Sequence, residues 1–450
     1  MKALATLAIL LVAGAAAAAA PGGAAGLQQQ IDAAPAGATL VIAGRHGGGI
    51  TIRRPLQLVG ERGAVIDGQG RGTVIRIEAP GVTLRGLTIV RSGRDLNTED
   101  AGIYVGAPGA VLDDLILDDV LFGLNLKRAH GALIRRVAVR GMDLPLSRRG
   151  DGLRLWYSDG VTLTAVRFER VRDILLWFAR GTTLHDLRVA RSRYGVHMMY
   201  ADHTRLLDSR FEDNAVGAYV MYSSGVRIED SIFLRHRGST GVALALKESD
   251  AVTVRGNLLA ANHVGIYLDG TPRTPESGGQ ILDNVVAGNG TGLHVLSSAA
   301  GNVIAGNVFE GNALPVRLDG GARSDTVWQR GGRGNYWSDY AGFDLGGDGV
   351  GDQPYRARQW FEALGDRVPE LGFFWGSPAV AAADFAARAL PLFPPQVLLE
   401  DPRPLTRAAV PEAFRGGGGR WAVAVAALLV AAAGGGALWA ARPRLRRIPA

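Results

Sequence analysis

His197, Met199 and Met221 are the residues whose types and spacing point most directly to chemistry. An imidazole and two thioethers form a soft, neutral donor set that suits Cu(I) and is poorly matched to Zn²⁺, Ca²⁺ or Mg²⁺. The chain has no cysteine, so thioether is its only sulfur ligand, and disulfides, thiolate metal sites and Cys nucleophiles are all excluded. Only five methionines occur in 450 residues, one of them the initiator, so two on one face is a concentrated signal. Trp156 and Trp177 share the face as neighbours, and Trp177 is placed to cover a cation with its ring. His203, in the following turn, is a further candidate ligand. The same Met and Trp residues also suit an apolar patch docked on a partner protein or membrane, where both types are enriched.

That grouping depends on a repeat. Gly followed by apolar-x-apolar recurs as Gly102-Ile-Tyr-Val, Gly123-Leu-Asn-Leu, Gly152-Leu-Arg-Leu, Asp173-Ile-Leu-Leu and Gly195-Val-His-Met. It continues through Gly217-Ala-Tyr-Val, Gly241-Val-Ala-Leu, Gly265-Ile-Tyr-Leu and Gly292-Leu-His-Val. Two further apolar-x-apolar strands fall in each interval, such as Val161-Thr-Leu and Val166-Arg-Phe. Three short strands in a period of about 22–24 residues describe an all-β, right-handed parallel β-helix, a solenoid of about ten to twelve coils. An enzyme barrel would need helices between its strands, and no stretch is apolar at helical period.

Alternation along each strand sends the first and third residues after the Gly inward and the second and fourth outward. The second outward column then reads Trp156, Trp177, Met199, Met221, Ala245, Asp269 and Leu296, and the first includes His197, Tyr219, Ala243, Tyr267 and His294. His294, Tyr267 and Asp269 make a lesser cluster with a surface role. His46, His130, His185, His236 and His263 share no column. Asn257, Asn284 and Asn307 lie in one register and Asn262, Asn289 and Asn312 in another, with equal offsets, which predicts internal amide ladders rather than scattered turn asparagines.

Beyond the repeat, Asp344, Asp348 and Asp352 recur every four residues among glycines. Such carboxylates can wrap Ca²⁺, or the segment is a plain loop closing the open end of the solenoid.

The expected organisation is a signal peptide at 1–25, the β-helix at 26–320, a C-terminal capping segment at 321–375 and a Pro/Ala-rich linker at 376–415. A transmembrane helix at 420–441 and a cytoplasmic basic tail at 442–450 complete it. Trp421 to Ala441 carries no charge, and Arg442, Arg444, Arg446 and Arg447 follow it, which orients the rest of the chain outward. The expectation is thus an exported domain tethered by its C-terminus, to the inner membrane if the compartment is the periplasm. The net charge of +7 is spread as single arginines rather than clustered, which argues against nucleic-acid binding.

The run Tyr194-Gly-Val-His-Met-Met-Tyr200, the segment Asn335-Tyr-Trp-Ser-Asp-Tyr340 and Asp348-Gly-Val-Gly-Asp-Gln-Pro-Tyr355 resemble recurring phrases of the NosD family. The resemblance covers almost the whole chain, the C-terminal span excepted. It implies a periplasmic accessory subunit working with an ABC-type permease and its cytoplasmic ATPase. It also implies a lipoprotein copper chaperone and, as client, nitrous oxide reductase, whose copper–sulfur cluster is built with this help. No phosphate-binding Gly-Lys-Ser/Thr loop occurs, so the chain itself is not the ATPase. Two other readings stay open: a scaffold that docks chaperone and reductase without holding metal, and a β-helix polysaccharide lyase or epimerase. Against the second, the outward columns carry only isolated acids such as Asp151 and Asp269, and no Asp-Pro-His-Asp run is present.

Overall fold

The structure is a computed structural model that describes residues 24–319, 325–358 and 397–409, with single positions 379, 382 and 386. The expected leader up to residue 23, the membrane span and the basic tail lie outside the described residues. Among the described residues, no helix is long and apolar enough to cross a membrane.

The chain forms an all-β parallel solenoid of right-handed type, with about twelve turns. It divides into two compact units, residues 1–193 and 194–450. In the first, the strands Ile50–Ile52, Ile75–Ile77, Ala101–Val105, Phe122–Lys127, Leu153–Trp156 and Asp173–Trp177 each contribute one turn to a parallel sheet. In the second, Tyr194–Met199, Val216–Met221, Val242–Lys247, Val264–Asp269, Thr291–Val295 and Leu314–Leu318 do the same. Successive strands pair in register, so each inward residue stacks on its equivalent. Val196 lies beside Ala218 and Met198 beside Val220, all fully buried.

The repeated glycine has a steric reason. A Cβ on Gly217 would sit 2.3 Å from the Ala243 carbonyl oxygen and 2.7 Å from His236 Nε2, so only hydrogen fits.

One element escaped the periodicity. Ala24–Ala33 is a helix, with Leu27 and Ile31 buried one turn apart. It begins two residues inside the expected leader, and it is too short for an amphipathic period to register.

Both asparagine ladders form. Asn257 Nδ2 donates to Asn284 Oδ1 at 2.9 Å, Asn284 to Asn307 at 2.9 Å and Asn307 to Asn335 at 2.9 Å. The second runs Asn262–Asn289–Asn312 at 3.0 and 2.9 Å. Each also continues with other residue types. The Ser231 amide donates to Asn257 Oδ1, and the Ser209 amide to Ser231 Oγ. In the second column His236 takes the position before Asn262: its amide donates to Asn262 Oδ1, and its Nδ1 lies 3.2 Å from the Asn214 amide. His236 is therefore part of a column, not isolated as its sequence position implied.

Burial lowers the His236 imidazole from 6.5 to about 4, so it folds neutral, and its Nε2 has no hydrogen-bond partner among the described residues. The unfolded chain takes a proton near 6.5 and the folded one does not until about 4. Stability is thus fully present above pH 6.5 and falls as pH drops towards 4, by about 3 kcal/mol from this group. His236→Asn, the residue the same column uses elsewhere, is expected to flatten that loss. Urea unfolding at pH 7.0 and 4.5 checks it; equal losses in parent and variant would show that the imidazole does not fold neutral.

The C-terminal end is closed by packing. Trp337 stacks on Phe309 at 4.4 Å and on Tyr355 at 4.5 Å, and its Nε1 donates to Asp401 Oδ2 at 3.0 Å. Asp401 also accepts from the Asn335 and Arg403 amides at 2.7 and 3.1 Å, terminating the first ladder. Tyr355–Arg358 pairs antiparallel with Val397–Asp401. Part of the segment read as linker therefore belongs to the cap, with Leu399, Asp401 and Leu405 buried. Sequence composition missed it because the paired strands lie about 40 residues apart, and Asp401 lies 64 residues from Trp337.

Candidate metal-binding face

The strands Tyr194–Met199 and Val216–Met221 pair with His197 beside Tyr219 and Met199 beside Met221. All four side chains are half-buried on the outward face. His197 Nε2 lies 3.4 Å from Met221 Sδ, diagonally across the pair. First-row metal bonds of about 2.0 Å to imidazole and about 2.3 Å to sulfur, at a tetrahedral angle, hold two such donors about 3.5 Å apart. The observed contact is of hydrogen-bond length and is compatible with both atoms reaching one cation. Met199 is the in-register neighbour of Met221, one strand spacing away. The imidazole is held by the Tyr194 ring at 4.7 Å and the Tyr219 ring at 6.0 Å.

The strand ends are fixed by a hydroxyl column. Ser223 Oγ donates to the Met221 carbonyl and Ser249 Oγ to that of Lys247, both at 2.8 Å. The Ala201 amide donates to Ser223 Oγ and the Ser223 amide to Ser249 Oγ, so the turns after these strands are tied to one another.

The register beyond Met221 differs from the sequence expectation. Tyr219 pairs with Ala245 and Met221 with Lys247, so Ala243 and Ala245 each stand two places earlier than their expected columns. Gly241 belongs to the preceding bend. The strand's own frame starts at Ala243, with Leu244 and Leu246 inward. The outward column is therefore Met199, Met221, Lys247, Asp269. Lys247 Nζ and Asp269 Oδ2 form a 2.8 Å ion pair, and that hydrogen bond holds the ammonium above its ordinary pKa.

His203 lies exposed in the turn with its ring over Gly225. Trp156 and Trp177, in the first unit, meet edge to face at 4.5 Å. The lesser cluster divides: Asp269 goes to Lys247, while His294 Nε2 pairs with Asp319 Oδ2 at 2.9 Å and Tyr267 meets its ring at 5.2 Å. Of the isolated acids, Asp151 is buried between Arg154 and Arg172, each at 2.9 Å, and burial raises its pKa.

The three aspartates of the Gly-rich loop are taken up by their own backbone. Asp344 accepts from the Gly347, Asp348 and Gly349 amides, Asp348 from Val350, and Asp352 from Leu345. Among the described residues no group of three or more His, Asp or Glu is placed to hold a metal ion. The loop's geometry is that of a closing turn.

Aromatic residues just beyond the strands were missed. Tyr157 stacks on Phe178 at 4.7 Å in the first unit, and Tyr200 on Tyr222 at 5.3 Å in the second. All four adopt φ near +50°, where bulky side chains are uncommon. Tyr157 and Tyr200 are 45% and 40% exposed, which makes these stacks surface features. Their recurrence one place after each outward Trp or Met was the signal available in the sequence.

The family model described as "Periplasmic copper-binding protein (NosD)" matches residues 132–342. A "Probable ABC transporter binding protein NosD" of Pseudomonas aeruginosa is 34% identical over 385 residues, covering 78% of this chain and 84% of that protein. A protein of the same description from Stutzerimonas stutzeri is 27% identical, covering 78% and 82%. Among solved structures, the A-module of the mannuronan C-5 epimerase AlgE6 of Azotobacter vinelandii matches with a TM-score of 0.53. Its identity is 13%, covering 68% of this chain and 94% of that one, a likeness of fold alone. With a relative this similar over this much of both sequences, the chain belongs to the NosD family of periplasmic copper-binding proteins.

Proposed function

We propose that His197, Met199 and Met221 accept Cu(I) as cargo and present it for assembly of the copper sites of nitrous oxide reductase. The observation that carries this reading is the 3.4 Å approach of His197 Nε2 to Met221 Sδ with Met199 alongside. Three neutral donors on an outward face give a site from which the ion can leave, as a transfer protein requires. The relatives' description as ABC transporter binding proteins supports an ABC-type permease and its ATPase as partners; the copper donor proposed with them is a lipoprotein chaperone. Cu(I) titration of the purified protein against a chromophoric chelator tests it, with the Met199→Leu/Met221→Leu protein beside it. Binding that survives the double change would sink the ligand assignment.

The stacked pair Tyr200/Tyr222, one place beyond Met199 and Met221, favours docking of a partner protein as a second role of that face. Tyr200→Ser/Tyr222→Ser is expected to leave Cu(I) affinity within about twofold of the parent and to slow copper loading of the reductase severalfold, since exposed aromatics carry interface energy. Unchanged loading would remove the docking role.

A further inference from the structure

The column that carries the thioethers does not end in solvent. Its next member is a cation: Lys247 is the in-register partner of Met221, and Asp269 is the in-register partner of Lys247. The two are joined at 2.8 Å, with side chains 27% and 20% exposed. Met199, Met221, Lys247 and Asp269 are thus four successive members of one row.

On the reading that His197, Met199 and Met221 hold Cu(I), we infer that Lys247, anchored by Asp269, is the residue that sets the charge selectivity and looseness of the site. The three donors are neutral, so a bound cation keeps its full charge. A fixed ammonium one strand from Met221 repels that charge in proportion to its size. At a separation of about 8 Å and an effective dielectric of about 20, one unit charge on the guest loses between one and two decades in affinity. A divalent guest loses twice as many decades. The donor types choose among soft ions, and the lysine adds a penalty that falls hardest on Zn²⁺ and Cu²⁺. Asp269, one strand further, offsets part of the repulsion and keeps the ammonium from swinging away. The result is a monovalent-selective site weak enough to give up its ion. The lysine is a specificity residue, not a ligand.

The test uses the full-length protein and four variants: Lys247→Gln, Lys247→Arg, Asp269→Asn and Met199→Leu/Met221→Leu. Cu(I) affinity is measured by chelator competition, and Zn(II) is then titrated against bound Cu(I). Lys247→Gln is expected to bind Cu(I) about tenfold more tightly, Asp269→Asn several-fold more weakly, and Lys247→Arg like the parent. Zn(II) is expected to displace Cu(I) from Lys247→Gln at about one tenth of the concentration the parent needs. Raising salt narrows these differences if they are electrostatic. Equal Cu(I) affinities across the Lys247 and Asp269 variants, or an unchanged Zn(II) displacement concentration, overturn the role of Lys247. If in that case the thioether double variant still loses binding, the copper site itself stands. No Cu(I) binding by the parent overturns both.

Discussion

Replacing Asn284 with alanine is expected to lower the unfolding free energy by about 3–5 kcal/mol, the size of loss that follows when a buried polar network is broken from one side. The Asn284 amide side chain is fully buried and fully used. Its Oδ1 accepts from both the amide and the Nδ2 of Asn257, each at 2.9 Å. Its Nδ2 donates to the Val254 carbonyl at 3.0 Å and to Asn307 Oδ1 at 2.9 Å. Alanine takes the acceptor from the Asn257 amide and removes one bond each from Asn257 Nδ2, the Val254 carbonyl and Asn307 Oδ1, in an interior where a full orphan costs about 1–3 kcal/mol. Urea unfolding followed by circular dichroism reads the loss directly. A change below about 1 kcal/mol would mean that the ladder is dispensable or that water replaces the amide.

The second large effect is on the cargo. Met199→Leu/Met221→Leu is expected to weaken Cu(I) binding by more than about a hundredfold, beyond the 10–100-fold that loss of a mere supporting group costs. Leucine conserves volume and apolar area, so stability is expected to change by less than about 1.5 kcal/mol. The imidazole of His197 remains held by Tyr194 and Tyr219. A lost affinity with an unchanged melting profile therefore isolates the sulfur donors. A lost affinity together with a lowered melting point would implicate the packing of the strands instead.

How far the fold was legible depended on whether a signal repeated. The asparagine columns could be read because Asn257/Asn284/Asn307 and Asn262/Asn289/Asn312 keep residue type and offset together. Where the type changed, the column vanished from view: Ser209, Ser231 and His236 do the same work with other atoms. The pairing of Met199 with Met221 followed from Gly195 and Gly217, which share a frame. Gly241 broke it, because a bend glycine looks the same as a strand-opening one. The strand's real opener is Ala243, so Lys247 went unplaced beside the site. The cap was recognised as a motif but not as packing. Trp337 and Asp401 meet only because the chain returns, and nothing local to Asn335–Tyr340 announces a partner 64 residues on.

In-register stacking also makes the second unit a graduated scale. His197 and Met221 sit near one end of it, and the Asn335–Asp401 closure at the other. The distance between them is divided into whole turns of about 4.8 Å each. Excising residues 285–307, one 23-residue period of the asparagine column, would carry the closure one graduation closer while every remaining ladder found an equivalent partner. Intermediate distances are not available to the fold. The distance between the His197–Met221 face and the capped end is therefore set in integers, and a chain of this kind changes it only by gaining or losing complete turns.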